Sequence, residues 1–158
     1  MSWRGAATAK DRVLASLPYL LPIIDALPFG LFLLRQFPAL AIVFLPLQPL
    51  LVLNSIPFAG LIIFFILYLA VVRNPKISHF IRFNTMQAIL LDIVLSLFGL
   101  LFWQILLPAI GPNLLTQTLA NVAFLGIMAA SIYSMVQSWL GRYADIPTLS
   151  EAVYTQVP

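Results

Sequence analysis

The feature that most constrains this chain is the length of its apolar runs. Five stretches, 13–34, 37–53, 57–72, 83–107 and 119–140, pass with hardly a charge, and a helix of about 20 apolar residues suffices to cross a bilayer. Charged residues make up 8% of the chain, too few to clothe a water-soluble surface of this size. The chain therefore reads as an all-α membrane protein. No Gly/Ser-rich linker, low-complexity tract or internal repeat divides it, so residues 1–158 are expected to form a single multi-pass membrane domain.

Five runs need not be five crossings, and the cations decide between topologies because cytoplasm-facing loops hold the excess of Lys and Arg. If 37–53 does not cross, one side holds Arg4, Lys10, Arg12, Arg73, Lys76, Arg82 and Arg142, and the other only Arg35. Five crossings would carry the 73–82 loop away from the basic N-terminus. The expected architecture is thus a four-transmembrane-helix bundle with spans at about 13–34, 57–72, 83–107 and 119–140. The segment 37–53 contains Pro46 and Pro49, and each proline removes a backbone donor. It is expected to be a broken re-entrant or interfacial helix between the first two spans. Both termini then lie on the same, cytoplasm-facing side.

Arg73, Lys76 and Arg82 sit between the second and third spans, where cations meet anionic head groups and fix orientation. The third span carries Asn84, Gln87 and Asp92. On a helix turning about 100° per residue, Gln87 lies roughly 60° to one side of Asn84 and Asp92 roughly 80° to the other, so the three share one face. Such a face points to protein or water, because an unsatisfied polar group in hydrocarbon costs kilocalories. Asp92 and Asp25 are the intramembrane carboxylates, each either paired or functional. Arg35 would reach Asp25 if the first helix broke at Pro28. The fourth span adds Asn121, Ser131, Ser134, Gln137 and Ser138, and a Gly126-to-Ala130 spacing of small residues suited to close helix approach. Asp25, Asn84, Gln87, Asp92, Asn121 and Gln137 are the candidate channel-lining or interaction residues. In the tail 142–158, Thr148 and Glu151 have capping-box spacing, which predicts a surface helix with Leu149, Val153 and Tyr154 turned to the membrane or a neighbour.

Little in the chain suggests catalysis. It has no cysteine and one histidine, His79, in a basic loop without a nucleophile arrangement. There is no phosphate-binding glycine loop and no Cys/His zinc pattern. An aspartyl protease would pair Asp25 with Asp92, but neither lies in sequence typical of that class. No catalytic residue, metal site or cofactor is expected. The first apolar run passes through Pro18, Pro22, Asp25 and Pro28, unlike a cleaved signal peptide, so the N-terminus is expected to be mature.

The segments "LPYLLPIIDALPFG", "VVRNPKISHFIRFNTMQAILLDI" and "GRYADIPTLSEAVYTQVP" resemble the Tic Twenty (Tic20) family, membrane subunits of the preprotein translocon at the chloroplast inner envelope, with cyanobacterial relatives. The most specific parts are Arg82-Phe83 at the start of the third span and the tail pattern Gly141, Tyr143, Ala144, Asp145, Ile146, Pro147, then Ala152, Tyr154, Gln156 and Pro158. The resemblance implies four transmembrane helices, both termini on the inner side, and a place in a protein-conducting complex as a channel-lining or scaffold component. It implies other membrane subunits, precursor polypeptides and lipids as partners, no nucleic acid and no enzymatic activity. Plant members commonly show a His where this chain has Asn84, and carry a transit peptide. Both departures point to the cyanobacterial or plastid-encoded branch, in a cyanobacterial membrane or the plastid inner envelope. Two alternatives stand beside this: a small structural or assembly subunit of a larger membrane complex, or a small-solute or ion carrier using Asp25 and Asp92.

Overall fold

Helix α1, Ala9–Gln36, runs straight through the prolines that might have broken it. A computed structural model describes residues 6–158; Arg4, counted above with the basic side, lies outside the described residues. The helix opens with a capping box, Asp11 N–H donating to Thr8 Oγ1 (3.1 Å) and Thr8 N–H to Asp11 Oδ2 (3.0 Å). Pro18 and Pro28 each sit near the start of a tighter 3-10 turn, at 17–19 and 27–30, where a missing N–H does little harm. The helix does not break at Pro28, the condition under which Arg35 could have approached Asp25, and Arg35 stays in the last turn of α1.

Chain 37–72 is bent throughout. A short helix α2, Ala39–Val43, leads into α3, Leu45–Asn54, whose first turn absorbs Pro46 and Pro49. The next helix, α4, Ala59–Val72, meets α3 at 97°. Phe58 holds the corner in the left-handed region at φ 64°, a costly conformation for a bulky side chain. At about 1.5 Å per residue α4 is roughly 20 Å long, short of the ~30 Å hydrocarbon core. It ends in a π-helical segment, 67–72.

The remaining spans are long. Helix α5 covers His79–Ile110 and α6 covers Leu114–Trp139, joined at Gly111 (φ 70°) and Asn113, whose side chain caps α6 at Thr116 N–H (3.1 Å). Helix α7, Leu149–Gln156, closes the chain. The protein is an all-α membrane bundle: α1, α5 and α6 are long and apolar enough to cross, and α3 with α4 makes a fourth candidate, as one broken span or a re-entrant loop.

Two apolar clusters hold these elements. Tyr19, Ile23, Phe29, Leu91, Leu95, Phe102, Phe124 and Met128 join α1, α5 and α6, while Val72, Phe83, Met86, Ile89, Val153 and Val157 join α4, α5 and α7. Close approach of α1 and α6 depends on Gly30: a Cβ there would lie 2.7 Å from the Phe124 ring. Gly126, singled out above for close packing, instead faces open space on the outside of α6. Gly30→Val is expected to wedge α1 from α6 at a cost of about 1–3 kcal/mol, lowering the thermal midpoint by several degrees in detergent. Gly126→Val should leave it unchanged; equal effects of the two would contradict this packing.

One end of the bundle is basic. Arg12 Nη1 donates to Trp139 O (3.5 Å), Arg82 Nε donates to Val72 O (2.8 Å), and Lys10 and Lys76 line one groove. The start of α1, the 73–78 loop and the tail therefore share this end, with Arg73 and Arg142 beside them.

Candidate functional site

The polar face of α5 divides into two sites. Asn84 and Gln87 are fully buried at the basic end, between α1, α6 and the tail. Asn84 Oδ1 accepts from Tyr19 Oη (2.9 Å) and Ser138 Oγ (3.0 Å), and its amide nitrogen donates to Phe80 O (2.9 Å). Gln87 Nε2 lies 2.9 Å from Ala144 O, 3.2 Å from Tyr19 Oη and 3.3 Å from Ser134 Oγ. The nitrogen has two hydrogens, so Ala144 O takes one and the two hydroxyls share the other. On its other side, Gln87 Oε1 accepts from Ser150 Oγ (2.8 Å). One glutamine thus ties α1, α5, α6 and the tail together. A satisfied buried network of this kind specifies geometry strongly, because every broken member leaves another polar atom unpartnered in a low-dielectric interior.

The tail is docked on its own bundle. Val153 and Val157 are fully buried, and the Tyr143 and Tyr154 rings each lie 4.9 Å from Phe83. His79 Nε2 lies 3.0 Å from Val157 O, an acceptor only, so Nε2 donates; Nδ1 then accepts from Tyr143 Oη at 2.9 Å. The expected Thr148–Glu151 capping box does not form. Thr148 has φ 69°, a geometry that turns its side chain from the helix start, and it makes no cap bond. Ser150, within the first turn, reaches back instead to the incoming chain, its Oγ accepting from Ile146 N–H at 2.7 Å.

Asp92 belongs to the second site, further along α5. Its carboxyl lies beside that of Asp25 on α1, and its Oδ1 is buried with no hydrogen-bond partner. Asn54, at the end of α3, donates through Nδ2 to Asp25 Oδ1 (2.6 Å). Asp25 is therefore partnered by Asn54, and not by Arg35 as a break at Pro28 would have required. A groove of about 780 Å³ opens here, lined in part by Asp25, Gln48, Asn54, Ser96 and Trp103. Trp103 packs on Phe29 at 5.5 Å, and α5 runs on past it to Ile110.

The other candidates fall outside both sites. Asn121 Oδ1 is buried and unpartnered, Gln137 is half-buried, and Arg73 and Lys76 are exposed. Arg82 caps the carboxyl end of α4 through Val72 O. Among the described residues no group of three His, Asp or Glu side chains is placed to hold a metal. Tyr19, Asn54, Ala144 and Ser150 were missed by sequence reasoning. The Ser131-Ser134-Ser138 stripe, one face at helical spacing, was the signal that could have placed α6 against Gln87.

Residues 8–153 match the family described as "Chloroplast import apparatus Tic20-like". The chain belongs to the Tic20 family. It is 54% identical over 158 residues to a "Tic20 family protein" of Synechocystis, covering 99% of both chains. It is 36% identical over 153 residues to "Protein TIC 20-II, chloroplastic" of Arabidopsis thaliana, covering 94% of this chain and 73% of that one. It is also 35% identical to "Tic20 family protein Ycf60" of Pyropia yezoensis, covering 92% of this chain and 75% of that one. Tic20 proteins thus occur in cyanobacteria and as chloroplastic plant proteins, and their names point to transport rather than catalysis.

Proposed function

We propose that this Tic20 chain is a non-enzymatic integral subunit of a preprotein-translocation complex, acting as a scaffold wall and not as a self-contained pore. The observation that carries this reading is the fate of Asn84 and Gln87, whose hydrogen-bonding groups are taken up inside the chain. A polar face so engaged has nothing to offer a passing polypeptide. The outward faces are apolar, with Val122 62% exposed on α6 and Leu97 59% exposed on α5, and suit lipid or the helices of other membrane subunits. Precursor chains then pass along a path assembled with those partners. The cations gathered at one end support an orientation with both termini on the cytoplasmic or stromal side, in a cyanobacterial membrane or plastid inner envelope.

Photocrosslinking residues at Val122 and Leu97, in native membranes, test this reading. Adducts of fixed size with stable membrane subunits are expected at these sites; adducts with transiting precursors at Ser134, inside the bundle, would overturn it.

A second reading, a small-solute or ion carrier, is favoured by one observation: Asp25, with Asp92 beside it, lines a groove. In that case Asp92→Asn abolishes solute uptake by proteoliposomes while complex assembly persists. The scaffold reading expects no uptake by the unaltered protein.

A further inference from the structure

A second groove, about 610 Å³, runs down the outside of α1 between α4 and the start of α5. Its chemistry changes along its length. At the basic end it is lined by Lys10, Lys76 and Ser78; below these its walls are apolar, from Leu14 and Leu21 to Ile24 on α1, with Ile63 and Leu67 on α4. From Lys10 to Ile24 the helix rises roughly 20 Å, more than the ~15 Å half-thickness of a hydrocarbon core. An acyl chain laid along it would reach from head-group level to mid-bilayer.

Two further observations fix the polar end. Asp11, at the same mouth, is turned to its own helix start, where it accepts from Thr8 N–H (3.0 Å). Thr85 also lines the groove, and its Oγ1 is buried with no hydrogen-bond partner. An orphaned buried hydroxyl is rare and calls for a partner. It stands roughly 9 Å along α5 from His79 at the helix start.

We infer that this groove is a binding site for one anionic membrane glycerolipid, its phosphate on Lys10 and Lys76, its ester oxygen accepting from Thr85, and one acyl chain between α1 and α4. The site is separate from the scaffold reading: it needs only the chain and a bilayer. It wedges a lipid against α4, which is too short to match the hydrocarbon thickness.

The test uses the full chain, delipidated in mild detergent and titrated with phosphatidylglycerol, phosphatidylcholine or inorganic phosphate, with thermal midpoint and native mass spectrometry as readouts. Phosphatidylglycerol is expected to bind one to one and raise the midpoint; phosphatidylcholine and phosphate are not. Replacing both lysines, Lys10→Gln with Lys76→Gln, is expected to weaken phosphatidylglycerol binding about tenfold or more. Arg73→Gln with Arg142→Gln removes as much charge from the same end, outside the groove, and should leave binding unchanged. Thr85→Val, nearly isosteric, should weaken binding while leaving the lipid-free midpoint equal or higher. Equal binding of both lipids, equal effects of the two charge pairs, or the same stabilisation by phosphate alone would each overturn the site.

Discussion

Gln87→Leu releases the C-terminal tail. Leucine is close to glutamine in volume, so the variant leaves no large cavity, but it removes both halves of the amide. Ser150 Oγ, 2.8 Å from Gln87 Oε1, and Ala144 O, 2.9 Å from Nε2, lose their partner in α5, and Ser134 and Tyr19 lose a donor. Each buried polar group left unpartnered costs about 1–3 kcal/mol, so a total of roughly 3–5 kcal/mol is expected. That is enough to make the tail the least stable unit of the molecule. Arg142, exposed and just before the docked segment, gives trypsin a site whose cleavage reports the release. Cleavage there is expected to rise at least about tenfold in Gln87→Leu and to stay unchanged in Gln137→Leu, whose side chain is outside the network. Unchanged cleavage in both would show that apolar docking through Val153 and Val157 holds the tail without the glutamine.

Asn54→Leu frees the bent arm. The single polar tie between α3 and the carboxyl pair is Asn54 Nδ2 to Asp25 Oδ1 at 2.6 Å, short enough to count as a strong hydrogen bond. Its loss leaves two neighbouring carboxyls without this donor, at a cost of about 1–3 kcal/mol. The corner at Phe58, already in the left-handed region at φ 64°, offers little to hold the 97° bend alone. Because the chain has no cysteine, a single cysteine at Gln48 reports the arm directly. Its labelling rate by a thiol reagent is expected to rise about tenfold in Asn54→Leu. A rate equal to that of the parent would mean that apolar packing of Phe44 and Leu51 positions the arm.

The sequence made the long helices legible and their junctions opaque. Run 83–107 falls inside α5, and run 119–140 inside α6 but for its last residue, because apolar length sets a membrane helix. The basic end was legible too, since the cations that sort loops by side also lie together in space. Pro18 and Pro28 leave α1 continuous, because a proline's effect depends on whether its turn can tighten to 3-10 geometry. The polar face of α5 was found but its division was not: helical angles put Asn84, Gln87 and Asp92 on one side, yet the network at one level and the carboxyl pair at another depend on which helices arrive there. Tyr19 and Ser150 come from elements 65 and 63 residues away from their partners on α5, a separation that no local pattern encodes. Thr148 and Glu151 had the right spacing, but Thr148 stands at φ 69° and makes no cap bond.

The polar heart of this Tic20 chain is closed, and the water accessibility of Ser134 reports whether it stays so. A single Ser134→Cys substitution is conservative in size and introduces the only thiol in the chain. In native membranes, with and without a precursor arrested in transit, the account predicts no modification by a small charged thiol reagent from either side, alongside full modification of a control cysteine at Arg142. Modification at position 134 that appears when a precursor is engaged would contradict it and place a wet passage through the bundle itself.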